Sequence, residues 1–201
     1  MLRNVTTGPI LTAAAAILVA LAAGCRRAPD PAGPVLLDVA GDSVRPLSEP
    51  AARAVVFLFA RTDCPISNRY APEVRRIHEK FAGRGVQFWM VYPDPDESAE
   101  AIQEHLREYG YRMEALRDTH HALVALTGAR VTPEAALFVP GPAGARMVYR
   151  GRIDDRYVDF GLTRPAATVH DLEGALGAVL EGRPVPVRET TAVGCFIPEL
   201  R

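Results

Sequence analysis

An α/β domain built around a mixed sheet is what the 201-residue sequence predicts, on three observations. Two apolar runs, the continuous Ala54 to Ala60 (AVVFLFA) and Val86 to Tyr92 (VQFWMVY), broken only by Gln87, have the β-branched and aromatic content of strands buried on both faces. Stretches of helical period alternate with them, and the chain closes on a hairpin followed by a helix. With 48% hydrophobic and 23% charged residues, the composition is that of a globular chain and not of a disordered one. A formal net charge of −1 offers no electrostatic footprint for DNA, RNA or anionic lipid, so nucleic acid is excluded as a partner.

The chain begins with an address. Ile10 to Ala23 is apolar except for Thr12 and is preceded by Arg3, the pattern of an export signal. It is shorter than the roughly 20 residues that a spanning helix needs. It ends in Ala22-Ala23-Gly24-Cys25, which resembles the lipobox of bacterial lipoproteins, although Ala22 stands where Leu is commoner. That resemblance implies a signal peptide over 1–24, lipid on the Cys25 thiol and a polar, Pro-rich tether over 25–34. The mature protein would then be exported to the cell envelope or periplasm and attached to a membrane, in a compartment where disulfides persist. An ordinary cleaved signal and an uncleaved anchor are the alternatives.

A domain over 35–184 follows. Val35 to Val39 predicts a short strand, Gly41-Asp42 a turn, and Val44 to Leu47 its partner. Ala54 to Ala60 is the first buried strand. After the polar segment RTDCPISN, apolar positions Tyr70, Val74, Ile77 and Phe81 recur at four, three and four, one face of a helix that Gly83 and Gly85 stop. Val86 to Tyr92 is the second buried strand, PDPDES a turn and helix cap, and Ala99 to Tyr109 an amphipathic helix ending at Gly110. Met113 to Leu116 predicts a strand and Thr119 to Leu126 a short helix before Gly128. Val131 to Pro140 gives a loop and a strand, paired through the turn GPAGA with Arg146 to Tyr149. Beyond the polar loop GRIDDRYVDFG, Thr168 to Leu180 is the last helix, with Thr168 as its expected cap, ended by Gly182-Arg183-Pro184. A tail over 185–201 carries Cys195.

The chemistry-bearing residue is Cys64. It follows a buried strand and precedes Pro65, a residue favoured at the first helical position, which puts the cysteine at the N-cap. Free backbone N–H groups and the helix dipole there stabilise an anion and lower a thiol pKa. Arg61 and Arg69 add positive charge and Asp63 opposes it. An inert thiol at the edge of the core is the alternative.

AVVFLFARTDCPIS, with Pro72 eight residues beyond Cys64 and Val131-Thr132-Pro133 before the strand EAALFV, resembles the thioredoxin superfamily, in particular its exported redoxin and TlpA-like branch and the related AhpC/TSA peroxiredoxins. The resemblance implies a thioredoxin-like fold: a mixed central sheet flanked by helices, here with an extra helix–strand unit at about Ser98 to Leu116. It implies Cys64 as the attacking cysteine, Pro65 and Ser67 in the active-site loop, and Thr132 and Pro133 in a cis-proline loop that shapes the substrate face. Three departures stand out. The usual CxxC is Cys64-Pro65-Ile66-Ser67, and serine cannot resolve a mixed disulfide. Leu58 occupies the place of the buried acid that relatives often carry six residues before the cysteine. Peroxiredoxins carry Pro-x-x-x-Thr-x-x-Cys, whereas this chain has Phe57 and Arg61 there, with Thr62 one residue out of register.

A single-cysteine site must be resolved by a second protein thiol or a small thiol, or stay oxidised. Cys195, in AVGCFIPE, is the candidate resolving thiol, linked to Cys64 within or between chains; Gly194 is expected to supply backbone freedom beside it. Cys195 packing with its apolar neighbours is the alternative. The expected function is exported thiol–disulfide exchange. Peroxide reduction is the first alternative, and a non-catalytic copper-handling role like that of Sco-type proteins, using His120-His121 with Cys64, the second. His78 and His105 are expected on solvated helix faces. No metal or cofactor is required. The expected partners are a protein or small-molecule disulfide, thiol or peroxide, and an electron donor that the sequence does not name.

Overall fold

The computed structural model describes residues 32–48 and 51–200, so Cys25 and the export segment lie outside the described residues. A seven-stranded sheet runs through the domain in the order β2-β1-β5-β4-β3-β7-β8. Its strands are β1 (Leu36–Asp38), β2 (Ser43–Val44), β3 (Ala54–Phe59), β4 (Val86–Tyr92), β5 (Glu114–Arg117), β7 (Glu134–Val139) and β8 (Arg146–Gly151). The first hairpin is thus shorter than its apolar letters suggest. β3 pairs parallel with β4 and antiparallel with β7, and all six of its residues are buried. A strand with neighbours on both edges and side-chain layers on both faces has no use for alternation, which is why its sequence is continuously apolar.

One layer packs α2 (Ala71–Phe81) and α5 (Asp171–Leu180) on the sheet through Val74, Ile77, Phe81, Leu172 and Leu176, with Ile102 of α3 (Ala99–Glu108) in the same core. The opposite layer gathers Phe57, Phe59, Trp89, Leu116 and Phe138 against Leu123 of α4 (Ala122–Thr127). The extra unit anticipated between β4 and the proline loop is α3 with β5, which pairs parallel with β4 and antiparallel with β1.

Local chemistry moves several boundaries. α4 starts later than expected because Asp118 reaches forward: its Oδ2 accepts from the N–H groups of Leu123 (3.0 Å) and Val124 (2.9 Å). Thr168 does not cap α5. Asp155 takes its backbone N–H (2.6 Å) and its hydroxyl (2.5 Å), and the helix begins after His170. The loop before it holds a hairpin, β9 (Tyr157–Asp159) with β10 (Leu162–Thr163).

The tail is strapped to the domain. Arg150 N–H donates to Arg188 O (2.9 Å), Thr190 N–H to Arg150 O (3.1 Å), and Arg150 pairs with Glu189. Gly151 admits this strap, since a Cβ there would lie 2.2 Å from Thr190 Oγ1. Further on, β11 (Cys195–Phe196) pairs antiparallel with β6 (Val131–Thr132), setting Cys195 opposite Thr132.

Candidate functional site

Cys64 lies where the sequence placed it. β3 ends, Ala60 N–H ties to Val91 O (2.8 Å), and Cys64 becomes the N-cap of α1 (Pro65–Arg69) with extended backbone (φ −82°, ψ 109°). Its Sγ accepts from Ser67 N–H at 3.4 Å, as an N-cap side chain does. Pro65 opens α1, and the chain breaks at Tyr70 before α2, with Pro72 in the first turn of the new helix. The Thr132–Pro133 peptide is cis, and Thr132 O receives the protonated Cys64 thiol at 3.1 Å. Pro65, Ser67, Thr132 and Pro133 thus gather around one sulfur across the β3 and β7 ends of the sheet.

Cys195 arrives from 131 positions away, paired opposite Thr132 and packed against the core cluster that holds Cys64; both are free thiols. The two ionise in opposite senses. Burial pushes the Cys64 thiol up, but hydrogen bonding with Cys195 and with Ser67 N–H outweighs it and holds Cys64 below the ordinary thiol value. Burial, the hydrogen bond to Cys64 and the negative charge on that sulfur push Cys195 up to about 12. Burial and hydrogen bonding thus favour ionisation at Cys64 and retention of the proton at Cys195. Leu58, in place of an acid, is buried in the core beneath.

Gly194 serves otherwise than expected. Its backbone is not in the left-handed region; instead, a Cβ would stand 2.1 Å from Thr132 O and 2.6 Å from Thr132 C. Close approach of two backbones, and not conformational freedom, requires glycine here. The tail covers Cys64 completely (0% exposed) but leaves Phe196 74% exposed. Alongside it runs an open groove of about 560 Å³ lined by Phe160, Phe196, Arg130, Arg150 and Glu189.

Residues to which the sequence assigned no role at the site hold the loop that leads into Cys64. Glu97 Oε1 accepts from Thr62 N–H (2.6 Å) and from the Thr62 hydroxyl (2.8 Å). Asn68 Nδ2 donates to Thr62 O (2.9 Å), His105 Nε2 meets Asn68 Oδ1 (2.8 Å), and Tyr92 OH meets His105 Nδ1 (2.7 Å). With the Asn68 amide donating to Thr62, its oxygen requires a proton on His105 Nε2, so Nδ1 accepts from Tyr92. His105 is therefore a neutral, buried histidine, pushed down to about 4 by desolvation, and not a solvated one. Its place on the apolar stripe of α3, three residues after Ile102, was the signal available. Thr62, near-register with the peroxiredoxin threonine, spends its hydroxyl on Glu97.

His120 and His121 do not join Cys64: His121 Nε2 bonds Pro93 O (2.8 Å). Among the described residues, the one group of three close metal-ligating side chains is Glu73, Asp154 and His170, without Cys64. Glu73 in it is committed to Arg76, and Asp154 to the Tyr70 hydroxyl (2.6 Å).

A cysteine capping the helix after a central strand, facing the carbonyl that precedes a cis-proline, defines a thioredoxin-like protein. More narrowly, the chain belongs to the AhpC/TSA family, whose model matches residues 26–152. No curated protein sequence matches it. Among solved structures it is similar to an uncharacterized conserved protein from Geobacillus kaustophilus, with 27% identity and a TM-score of 0.69 over 84% of this chain and 90% of that one. A hypothetical protein from Sinorhizobium meliloti gives 26% and 0.68 over 81% and 88%. A secreted disulfide oxidoreductase from Mycobacterium tuberculosis, 18% identical with a TM-score of 0.52 over 75% and 99%, shares the fold.

Proposed function

We propose that the protein is an exported, lipid-anchored thiol–disulfide oxidoreductase in which Cys64 is the nucleophile and Cys195 the resolving thiol. The observation that carries this reading is the placement of Cys64 at the N-cap of α1, 3.1 Å from the Thr132 carbonyl, with Cys195 paired opposite that same Thr132. Cys64 S⁻ attacks one sulfur of a substrate disulfide; that S–S bond breaks, the distal sulfur leaves as thiolate, and a mixed disulfide forms. Loss of the Cys64 charge removes the interaction that holds the Cys195 proton, which passes to the departing thiolate or to solvent. Cys195 then attacks Cys64 Sγ, releasing the substrate's second thiolate. Two protein thiols are oxidised, one substrate disulfide is reduced, and an external dithiol resets the site. No cofactor takes part.

Support for thiol–disulfide exchange over peroxide reduction comes from Thr62, whose hydroxyl is held by Glu97 and not turned to the sulfur. Support for export and lipidation comes from the apolar run ending in Gly24-Cys25. The test is non-reducing peptide mapping after stoichiometric oxidation with a small disulfide. A Cys64–Cys195 bridge within one chain is expected; a persistent mixed disulfide on Cys64, or two unreacted thiols, overturns the assignment.

A further inference from the structure

We propose that Val193–Ile197 is a built-in occupant of a peptide groove along β6, and that this groove admits an extended polypeptide only when glycine precedes its reacting cysteine. The inference rests on Cys64 being the nucleophile and adds what the site selects. The tail sits as an added strand: Cys195 pairs with Thr132, Phe196 with Val131, and Ile197 N–H donates to Arg130 O at 3.0 Å. Main-chain bonds of this kind are open to any extended chain, and selection falls to the side-chain positions. The register delivers a cysteine opposite Thr132, whose carbonyl is 3.1 Å from Cys64 Sγ.

Each neighbouring position then has a physical requirement. Before the cysteine, a Cβ would meet Thr132 O at 2.1 Å, Thr132 C at 2.6 Å and Pro133 N at 3.1 Å. These are backbone atoms of a fully buried residue and its proline, so they cannot swing aside as a flexible side chain would. Directly after the cysteine, Phe196 is 74% exposed, so any side chain is accommodated. Two before and two after, Val193 and Ile197 pack on the two faces of the core, and apolar residues are favoured. The substrate class is an extended polypeptide reading apolar–Gly–Cys–any–apolar.

Because the tail leaves Cys64 wholly buried, a client strand must displace it to react. The Cys64 thiolate attacks the client cysteine's sulfur, the client's former disulfide partner departs as thiolate, and the client stays on Cys64 in the groove. Return of the tail expels the client strand and brings Cys195 to Cys64 in the same movement, so strand replacement and resolution are one event.

The test uses the full chain carrying Cys195→Ser, which keeps a small polar side chain in the tail but cannot resolve. Two probes copy Thr191–Pro198, one with the native glycine and one with alanine in its place, each with its cysteine held as a mixed disulfide with 5-thio-2-nitrobenzoate. Release of the coloured thiolate reports attack by Cys64. The glycine peptide is expected to react about tenfold faster or more. A Gly194→Ala/Cys195→Ser variant, whose own tail cannot seat, is expected to react faster with the glycine peptide while keeping the preference. Equal rates for both peptides, with normal attack on the free small-molecule disulfide of the same reagent, overturn the groove while leaving the nucleophile standing. Failure of Cys64 to attack even that small disulfide overturns both.

Discussion

In the proposed mechanism a thiol from the tail favours ionisation of Cys64, and replacing that donor without opening the site isolates its contribution. Cys195→Val serves, because valine keeps a branched side chain of similar size on β11 and loses the proton. Hydrogen bonds to charged groups contribute about 1.5–3 kcal/mol, and S–H is a weak donor, so the low end applies. About 1.4 kcal/mol corresponds to roughly one pH unit. The Ser67 N–H donor and the Cys195 backbone survive the change, and the burial that opposes ionisation is retained. The Cys64 midpoint is therefore expected to rise by about one unit in Cys195→Val and by less in Cys195→Ser, whose hydroxyl still donates. Ultraviolet thiolate absorbance against pH, with Cys64→Ser as the blank, measures it directly. A midpoint that stays put or falls in the valine variant, with the fold intact by circular dichroism, would refute the donor role of Cys195.

His105 is pushed down to about 4 in the folded protein, against about 6.5 unfolded. The unfolded chain binds the extra proton between those values, so stability falls as pH drops from 6.5 to 4, by about 3 kcal/mol in all; His105→Gln is expected to remove this contribution from a plot of Tm against pH. Asp118→Ala leaves the N–H groups of Leu123 and Val124 buried without an acceptor. It is expected to cost about 2 kcal/mol, roughly 4–8 °C in Tm, and Asp118→Asn distinctly less, as calorimetry would show.

The elements that sequence makes legible are those whose pattern is local. β3 and β4 announce themselves because strands covered on both faces are apolar almost throughout, with the half-buried Gln87 of β4 as the exception, and Cys64-Pro65 marks a helix start because proline is tolerated there and a cap is needed. The loop's supports were not legible in the same way. Glu97 stands in a segment that reads as turn and cap chemistry, yet it holds Thr62 from 35 positions away. His105 reads as one of many polar residues on a charged helix, and only the packing of α3 on the sheet buries it between Tyr92 and Asn68. Thr168 looked like a cap because caps are recognised by residue type, but Asp155, brought beside it by the β9–β10 loop, competes for the same groups.

The chain's own letters specify the class of fold, the placement of Cys64 at a helix start and a second cysteine outside any CxxC. Periodicity, proline placement and residue type are written along the chain, and each acts within a few residues. Folding in three dimensions adds that Cys195 lands opposite Thr132, beside Cys64, and that Gly194 is there for contact and not for freedom. Those outcomes depend on a tail laid across β8 and β6, an approach in three dimensions between segments that, at Cys195 and Thr132, are 63 positions apart in sequence. No local pattern encodes such an approach, because the forces that create it, backbone pairing and exclusion of a Cβ, depend on atoms that become neighbours only once the sheet has formed.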